Sequence, residues 1–499
     1  MRNALRLVFR EICIFCCVKI VSLQHQLFIL PIFLVESSVG CDYFCIFAAT
    51  NQSINTITMK KIYFLMVTML FMAFTAKAGG LMTNTNYHIA FDRMMARGAS
   101  FDIDAAFSNP AGLAWGHEGW QLSLNFQKPW QNRDIELSAL SPTPFNIDKK
   151  YPGKASAPIV PALFAAYKQD NWAVSGMLGI VGSGGFVEYD EGIPMLNIPI
   201  MGNLYQNGIT PDMYNLDSKM EGKQYIYGGQ LNFTYQLTDN IAAAVGVRAN
   251  YYDGYNRGHV TAITLPALGS KQLIDLQLDC LQKGWGFTPI VSFDYHDAPL
   301  TIAVRYEFRT KINTENDTKE LSAKAMGADA KAQFGDKLAP YEDGAKTRYD
   351  MPALLTMAVG YEITPQLRAT LEYHNFDDKH AKMAGDRQKN LTHGTDEYLV
   401  GLEYDINEKF TVSCGGQRTD YGLDDNYQTN TSFACDSWSV GLGGAWNITE
   451  KVRLNAGYFC TIYSDYTKEY TNYQSTTLPA KEVYSRTNHV IGVGVDYKF

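Results

Sequence analysis

The chain has 499 residues, of which 46% are hydrophobic and 13% aromatic, and a formal net charge of −8 at pH 7. This acidic balance gives no reason to expect nucleic-acid binding. A mean hydropathy of −0.18 excludes a bundle of membrane-spanning helices but not a membrane β-barrel, in which apolar and polar residues alternate.

Residues 1–58 are expected to have no role. They hold five of the nine cysteines and show none of the alternation found later in the chain. We expect translation to start at Met59. In the alternative interpretation, Cys13 and Cys16 form a metal or redox pair and residues 27–35 form an anchor. So short an apolar run, broken by Pro31, does not cross a bilayer.

Residues 59–78 have the three parts of a secretory signal peptide. Met59-Lys60-Lys61 give a positive start, residues 62–74 are apolar, and Ala76-Lys77-Ala78 suits cleavage after Ala78. The apolar part is too short for an ordinary transmembrane helix, and no later stretch is long enough. We therefore expect an exported chain that begins at Gly79.

Residues 79–116 precede the first predicted strand and are rich in apolar side chains. They also contain Arg93, Arg97 and the sequence Asn109-Pro110-Ala111-Gly112. A segment of this composition is too apolar to be a solvated tether.

Residues 117–499 alternate apolar and polar side chains in fourteen runs, which is the period of a β-strand. Six connections are short polar turns and most others are long, an asymmetry typical of an outer-membrane β-barrel. The short turns are at 168–171, 237–240, 296–299, 364–366, 405–408 and 447–450. The predicted strands are 119–128, 160–168, 172–189, 223–237, 241–255, 276–295, 300–311, 348–363, 367–375, 397–404, 409–421, 433–446, 452–463 and 488–499.

Charges along the strands favour a barrel in a membrane over a soluble β-sandwich. In the predicted strand 300–311, apolar residues alternate with Arg305, Glu307 and Arg309. A charge aimed at mid-bilayer lipid costs roughly 2 to 4 kcal/mol, so this face must point into the lumen. Aromatic residues flank every short turn, as in an interfacial girdle. The sequence therefore predicts an all-β fold, a 14-stranded antiparallel transmembrane β-barrel with an N-terminal plug.

Together these features resemble the FadL family, outer-membrane transporters of long-chain fatty acids and aromatic hydrocarbons. The Asn-Pro-Ala element before the first strand carries the resemblance, which extends over the whole chain from Gly79. It implies that residues 79–116 form a hatch that plugs the lumen of the barrel at 117–499. The alternating C-terminus ending in Phe499 resembles the signal read by the barrel-assembly machinery. The implied hatch residues are Asn109, Pro110, Ala111, Gly112, Arg93 and Arg97.

The resemblance also implies a kink in the third strand that opens the wall sideways. Glycine inside a strand commonly marks a bulge or bend. We place the lateral opening at Gly182, Ser183, Gly184 and Gly185. In the alternative interpretation, these glycines only curve the barrel.

Two groups of apolar residues are candidates for ligand binding. The loop 192–202 is markedly apolar for a surface loop, and exposed apolar patches usually mark binding sites. It either captures ligand or packs on its neighbours as a lid. The candidates are Ile193, Met195, Leu196, Ile198 and Ile200 in this loop, and Phe91, Met94, Met95, Phe101 and Phe107 in the hatch.

The two hatch arginines allow two interpretations. Arg93 or Arg97 could meet a substrate carboxylate, for which arginine is well suited. Alternatively, both pair with lumen acids such as Glu307, Glu372 or Glu403 and hold the hatch in place. We favour the second interpretation because buried charges are usually paired.

Two further predictions concern the loops. The alanine-rich stretch 319–334 has helical propensity and predicts a helix across the mouth of the barrel. Cys414 and Cys435 lie almost symmetrically about the loop 423–429 and either form a disulfide or stay free, which we favour.

We expect passive uptake of long-chain fatty acids or other hydrophobic compounds through the outer membrane, with no enzymatic activity, metal or cofactor. No Gly-x-Ser-x-Gly, His-Glu-x-x-His or phosphate loop occurs. The expected partners are a hydrophobic small molecule, outer-membrane lipid and detergent-like molecules, and we expect a monomer. The alternative is a general or substrate-selective diffusion porin, which would not explain the apolar segment 79–116.

Overall fold

Fourteen antiparallel strands close into a barrel, as predicted. The computed structural model describes residues 86–142, 147–157, 159–325, 328–329, 339–475 and 478–499. The barrel strands are β1 (Gly119–Ala139), β2 (Val160–Gln169), β3 (Trp172–Tyr189), β4 (Tyr214–Thr238), β5 (Ile241–Thr264), β6 (Gln272–Asp297), β7 (Leu300–Glu307), β8 (Leu354–Thr364), β9 (Leu367–Phe376), β10 (Thr395–Asp405), β11 (Phe410–Asp420), β12 (Ser437–Asn447), β13 (Val452–Tyr463) and β14 (Ala480–Lys498). The last strand pairs with the first from Gln121↔Lys498 to Ala139↔Ala480, so the sheet has no open edge.

Helices and short strands fill the connections. The α-helices are α1 (Ile89–Met94), α2 (Ala105–Ser108) and α3 (Pro194–Gln206). Turns of 3-10 helix lie at Pro110–Trp115, Pro211–Met213, Pro266–Leu268, Ala339–Tyr341, Asp378–His380, Ala384–Asn390 and Tyr473–Ser475. Short strands lie at Lys149–Tyr151, Lys154–Ser156, Asn313–Ala325, Ala328–Asp329, Lys346–Arg348 and Tyr466–Tyr470. In the described ranges, no helix combines the length and hydropathy needed to cross a membrane.

The barrel carries its apolar residues outside and its polar residues inside. Leu231, Val245 and Phe287 point outward and are 61%, 60% and 63% exposed, whereas the inward Asn232 and Arg248 are almost fully buried. Because side chains alternate across a strand, one strand supplies both faces. This arrangement is the reverse of a water-soluble core and is the one that lipid requires.

Two belts of aromatic side chains bound the outer apolar band. At the end with the short turns, the Tyr167 ring lies 4.9 Å from Trp120 and 5.6 Å from Trp172. Toward the long loops, Tyr251 packs against Trp285 with ring centroids 4.6 Å apart. Along tilted strands the two belts are roughly 20 Å apart, close to the height of a membrane-facing band.

Several local predictions require correction. Residues 319–325 belong to the strand Asn313–Ala325, which pairs with β6, and residues 328–329 are also a strand; the rest of the predicted helix 319–334 lies outside the described residues. Ladder hydrogen bonds to β6 outweigh the helical propensity of alanine. The predicted loop 192–202 contains most of α3, which begins at Pro194, a residue favoured in the first helical turn.

The cysteines of the barrel are unpaired in the described residues. Cys414 is exposed on the outer face of β11, and Cys435 is buried in the connection before β12. The two thiols are therefore free, the alternative favoured from the sequence. Residues 1–78, with the predicted leader and signal peptide, lie outside the described residues.

Candidate functional site

The described part of the segment before β1, residues 86–116, lies inside the barrel; residues 79–85 of the predicted hatch lie outside the described residues. Helix α1 packs against the inner faces of β10 to β14, and all six of its residues are buried. Two glycines of the wall make this close approach possible. A Cβ at Gly415 would collide with the carbonyl oxygen of Met94, and one at Gly443 would lie 2.8 Å from the Cβ of Arg93. The absence of side chains at these two wall positions leaves room for the hatch.

The Asn-Pro-Ala element fixes the lower part of the hatch to the wall. The side-chain amide of Asn109 donates to the carbonyl oxygen of Gly98 (3.0 Å) and to Oδ1 of Asp294 (2.5 Å). The carbonyl oxygen of Pro110 accepts from Thr234 (2.7 Å) and the Ala111 amide donates to Ser292 (3.0 Å). A Cβ at Gly112 would collide with the carbonyl oxygen of Ser100. Each of the four residues is therefore fixed by a contact.

We expect Asn109→Ala to lower the free energy of unfolding by about 1 to 3 kcal/mol, because buried Asp294 loses its donor. The measurement is the midpoint of heat-induced unfolding in detergent. Asn207→Ala is the matched control, because its amide also donates to a carbonyl oxygen, that of Asn203, but at an exposed site. Equal midpoints for the two variants would contradict the anchoring role of Asn109.

Arg93 and Arg97 are both occupied by acids of the protein itself. Arg93 forms an ion pair with Glu403 and donates to Ser413 (2.8 Å). Arg97 holds Asp104 through two nitrogens (2.7 and 2.8 Å) and also meets Asp102 (3.0 Å). Arg93 thus pairs with a lumen acid, whereas Arg97 pairs with acids of the hatch and braces it internally.

Further polar groups of the wall hold the hatch at α2. Gln230 and Asn232 donate to the carbonyl oxygen of Ala106 (3.0 and 2.8 Å). Arg305 donates to the carbonyl oxygen of Phe107 and lies over the ring of that residue at 5.5 Å.

Asp92 of the hatch is fully buried and accepts from Gln127 (2.9 Å). Burial raises the pKa of Asp92 well above its usual range, and the hydrogen bond from Gln127 offsets this only in part. Because its charged form is disfavoured, this side chain can pack against α1 and the wall without a cation.

The two sets of candidate ligand residues do not meet in one pocket. Phe91 and Met95 pack with Leu399, Phe459 and Val490. Phe101 lies at the short-turn end, 4.8 Å from the ring of His296, while Met94 approaches Gly401 and Phe107 joins a separate cluster. In and before α3, Ile193, Ile198 and Ile200 are buried against neighbouring strands, and Met195 and Leu196 are half-buried. Most of these residues pack the hatch or hold α3 down on the rim.

The barrel wall has a gap between β2 and β3. The two strands pair from Gln169↔Trp172 to Ala162↔Gly179, and the next pairing to β3 is Ser156↔Phe186. Among the described residues, the ladder across this seam is interrupted between these two pairings. On its other side, β3 shifts register against β4 between residues 180 and 182 and again between 183 and 185. The glycines predicted to mark a kink, Gly182, Gly184 and Gly185, lie at these two shifts.

Gly185 shows how the backbone is arranged at the gap. Its φ of +72° lies in the left-handed region that favours glycine, and a Cβ built there would meet nothing within 4 Å. β3 rises from Trp172 in one aromatic belt to Ile180 near the other. The gap therefore lies close to the belt on the long-loop side.

A cavity of about 160 Å³ connects the hatch to this gap, and its lining is mixed, with Gln127, Gln131, Arg486 and Asn488 beside the apolar residues. Its lining includes Tyr87 of the hatch, Val160 and Ile180 at the gap, and Phe459 and Val490 of the wall. A larger cavity, about 640 Å³, lies at the short-turn end and also has a mixed lining, in which the predicted ligand residues Met94 and Phe101 lie beside Arg97, Arg368, Glu403, Asp405 and Arg453. Sequence reasoning missed Tyr87, because nothing in the chain relates it to residues of β2, β3 and β13.

Comparisons with known proteins identify the architecture. No protein-family model and no curated protein sequence matches the chain. A crystal structure of a Pseudomonas aeruginosa FadL homologue matches with a TM-score of 0.59 at 13% identity, covering 85% of this chain and all (100%) of that one. The chain has the FadL-type fold. The toluene transporter TodX of P. putida (TM-score 0.51, 12% identity, 81% and 97% covered) and the deltaS2 mutant of the TodX monoaromatic hydrocarbon channel (0.53, 14%, 84% and 100%) are also similar.

At these identities the similarity establishes the FadL-type fold alone. It confirms the fold class predicted from the sequence and the resemblance that the Asn-Pro-Ala element carried.

Proposed function

We propose that the protein is an outer-membrane transporter that takes up long-chain fatty acids or other hydrophobic compounds by passive diffusion. The observation that carries the proposal is the cavity, lined in part by Val160, Ile180 and Phe459, that runs from the hatch to the gap between β2 and β3. The toluene and monoaromatic hydrocarbon transport named for TodX supports the same class of substrate. In this proposal residues 59–78 are a cleaved signal peptide, residues 1–58 have no role, and Phe499 delivers the chain to the barrel-assembly machinery.

The proposed route solves a physical problem. An alkyl chain that crosses a water-filled pore forfeits about 0.8 kcal/mol for each methylene group that it would otherwise bury. A ligand held in an apolar cavity avoids this cost if it leaves through the wall into lipid. The hatch closes the way straight through, because Arg93, Asn109 and Ala111 tie it to the wall. Transport by this route requires only a concentration gradient and a movement of the hatch or of β3.

Capture begins at the long-loop side in this proposal. A cavity of about 330 Å³ lies beside α3, and its mixed lining includes Tyr151, Ile198 and Met201 together with Lys149, Asp190, Glu191 and Asp217. Since Met195 and Leu196 are only half-buried, α3 offers apolar surface next to this cavity. We assign α3 the role of a lid over the entrance rather than that of an open loop.

Two measurements on the wild-type protein test the proposal. In planar bilayers we expect no steady large ion conductance, because the lumen is plugged. In cells that produce the protein, we expect faster uptake of radiolabelled oleate or toluene than in cells with an empty vector. A steady large conductance without enhanced uptake would instead identify a diffusion porin.

A further inference from the structure

A charged side chain interrupts the apolar outer face of β1. Leu122, Leu124 and Phe126 point outward and are exposed. Lys128 follows in the same outward phase, and Trp130 of the aromatic belt on the long-loop side comes next. An ionisable side chain on the lipid side of a barrel is unfavourable, and ionisable groups at membrane depth commonly mark functional sites. The alternation of the strand alone therefore does not account for Lys128.

The ammonium group of Lys128 reaches the level of the belt but meets no acid there. Its Nζ donates to the carbonyl oxygen of Ala157 (3.0 Å), the residue after Ser156, which is the ladder partner of Trp130. The partner of Lys128 itself on β14 is the apolar Ile491. Within the described ranges, Lys128 forms no ion pair. Because a lysine ammonium has three N–H donors, it can still donate to a further acceptor.

Other outward lysines on the long-loop side lie beside acids of the protein. Lys223 pairs with Asp253 (2.6 Å). Lys283 has acids as its ladder partners on both sides, Asp253 and Glu315. Because Lys128 has no such neighbour, its charge remains available for an anion from outside the protein.

Aromatic rings lie beside Lys128 on the same outer face. Trp130 stacks on its ladder partner His489, with ring centroids 5.4 Å apart and an interplanar angle of 14°. The hydroxyl of Tyr458 lies 2.8 Å from Nδ1 of His489 and holds the imidazole ring in place. Lys128 and His489 are diagonal neighbours in the ladder, a separation of roughly 7 to 8 Å. A cation and a flat aromatic surface therefore lie together at the depth of lipid headgroups.

The next outward positions, farther from the membrane, are polar and uncharged. Asn132 of β1 and Thr487 of β14 are exposed ladder partners, and the backbone amide of Asn132 donates to Oγ1 of Thr487 (3.3 Å). The order from the membrane outward is thus a cation, an aromatic pair, and then amide and hydroxyl groups. A headgroup with phosphate near its acyl chains and a hydroxyl-bearing ring fits this order. A headgroup that ends in an ammonium group would find no acid in the row of Asn132 and Thr487.

We propose that this part of the outer face binds the phosphorylated sugar headgroup of a glycolipid in the outer leaflet of the membrane. The headgroup patch consists of Lys128, Trp130, Asn132, Thr487 and His489. Lys128 donates to the phosphate, and hydrogen bonds between charged groups are the strong ones. The sugar ring packs on Trp130, and Asn132 and Thr487 bind its hydroxyl groups. The inference goes beyond the proposed function and does not depend on it.

The test compares a phosphorylated glycolipid with its dephosphorylated form. Lipid A, with and without its phosphate groups, is titrated into the purified protein in detergent, and native mass spectrometry measures the bound fraction. We expect the wild type to bind the phosphorylated form about tenfold or more tightly, because only this form accepts charge-assisted hydrogen bonds. The variant Lys128→Met should lose this preference and keep its affinity for the dephosphorylated form.

Lys283→Met is the matched control for Lys128→Met. Lys283 is also an exposed outward lysine two residues from a belt tryptophan, Trp285, but it lies between two acids. Its replacement should leave the preference intact, and Lys128→Arg should retain it because the charge is kept. Heat-modifiability on gels checks folding, which should not suffer because methionine at an outward position suits lipid.

Equal binding of the two forms by the wild type, or an unchanged preference in folded Lys128→Met, overturns the headgroup patch as a phosphate site. An equal loss of preference in Lys283→Met also overturns it, because any outward lysine would then serve. Phosphatidylglycerol is the third ligand. If it binds as tightly as lipid A, the sugar is not recognised and the assignment to a glycolipid is wrong. The uptake measurements that test the proposed function are unaffected by any of these results.

Discussion

We expect the variant Gly185→Phe to fill the gap and to slow the uptake of hydrophobic compounds about tenfold or more. An increase of only about 1.4 kcal/mol in the activation free energy of ligand exit is sufficient for this effect. A side chain at this position projects into open space, because a Cβ there meets nothing within 4 Å. The new ring would occupy the seam between β2 and β3. The measurement is the initial rate of oleate uptake by cells, normalised to the amount of folded protein in the outer membrane.

Gly344→Phe is a matched control for this variant. Gly344 also has a left-handed φ, +69°, and a Cβ there meets nothing within 4 Å, but it lies in the long connection between β7 and β8. Both substitutions carry a similar backbone strain, of order 1 to 3 kcal/mol. Only Gly185→Phe should slow uptake. If the two variants transport equally well, ligand leaves the barrel somewhere else.

The sequence predicted the membrane-facing part of the barrel well because lipid imposes a strict rule there. Between the belts every outward position must be apolar, so the alternation shows where each strand lies and which of its side chains point outward. Beyond the belts this requirement no longer applies. β1 continues past the predicted end at 128 to Ala139, through polar outward positions such as Asn132, and β4 begins at Tyr214 rather than at 223. Hydrogen bonding to neighbours, not hydropathy, sets these ends.

The contacts of the lumen could not be predicted in the same way. Whether Arg97 meets Asp104 or a wall acid depends on how the hatch folds within the barrel. Arg133 and Arg486 become neighbours only because β1 and β14 close the barrel, and nothing in either strand alone indicates this. The third-strand glycines are a partial exception. Their clustering pointed to a bend, but the interrupted pairing also depends on where β2 begins, at Val160.

Breaking the ion pair between Arg93 and Glu403 is expected to have the largest effect on the closed state. Arg93 is 1% exposed, and its partner Glu403 also binds Arg368 (2.9 Å). Glu403→Ala leaves a buried guanidinium without its counter-charge, which typically costs about 3 to 5 kcal/mol. The hatch should then leave its seat against β11 and β12. The measurements are the midpoint of heat unfolding in detergent and the ion conductance in planar bilayers, which should rise.

A double-mutant cycle distinguishes loss of the pair from general damage. In Arg93→Ala/Glu403→Ala no uncompensated charge remains at this contact, so the double variant should be less destabilised than the sum of the single variants. Lys389→Ala is the control, because it breaks an exposed pair with Asp386 and should cost no more than about 1 kcal/mol. If the destabilisations caused by the two single variants simply add up to that of the double variant, the ion pair does not couple the hatch to the wall. If conductance stays low in every variant, the hatch is held chiefly by the Asn-Pro-Ala contacts with β4 and β6.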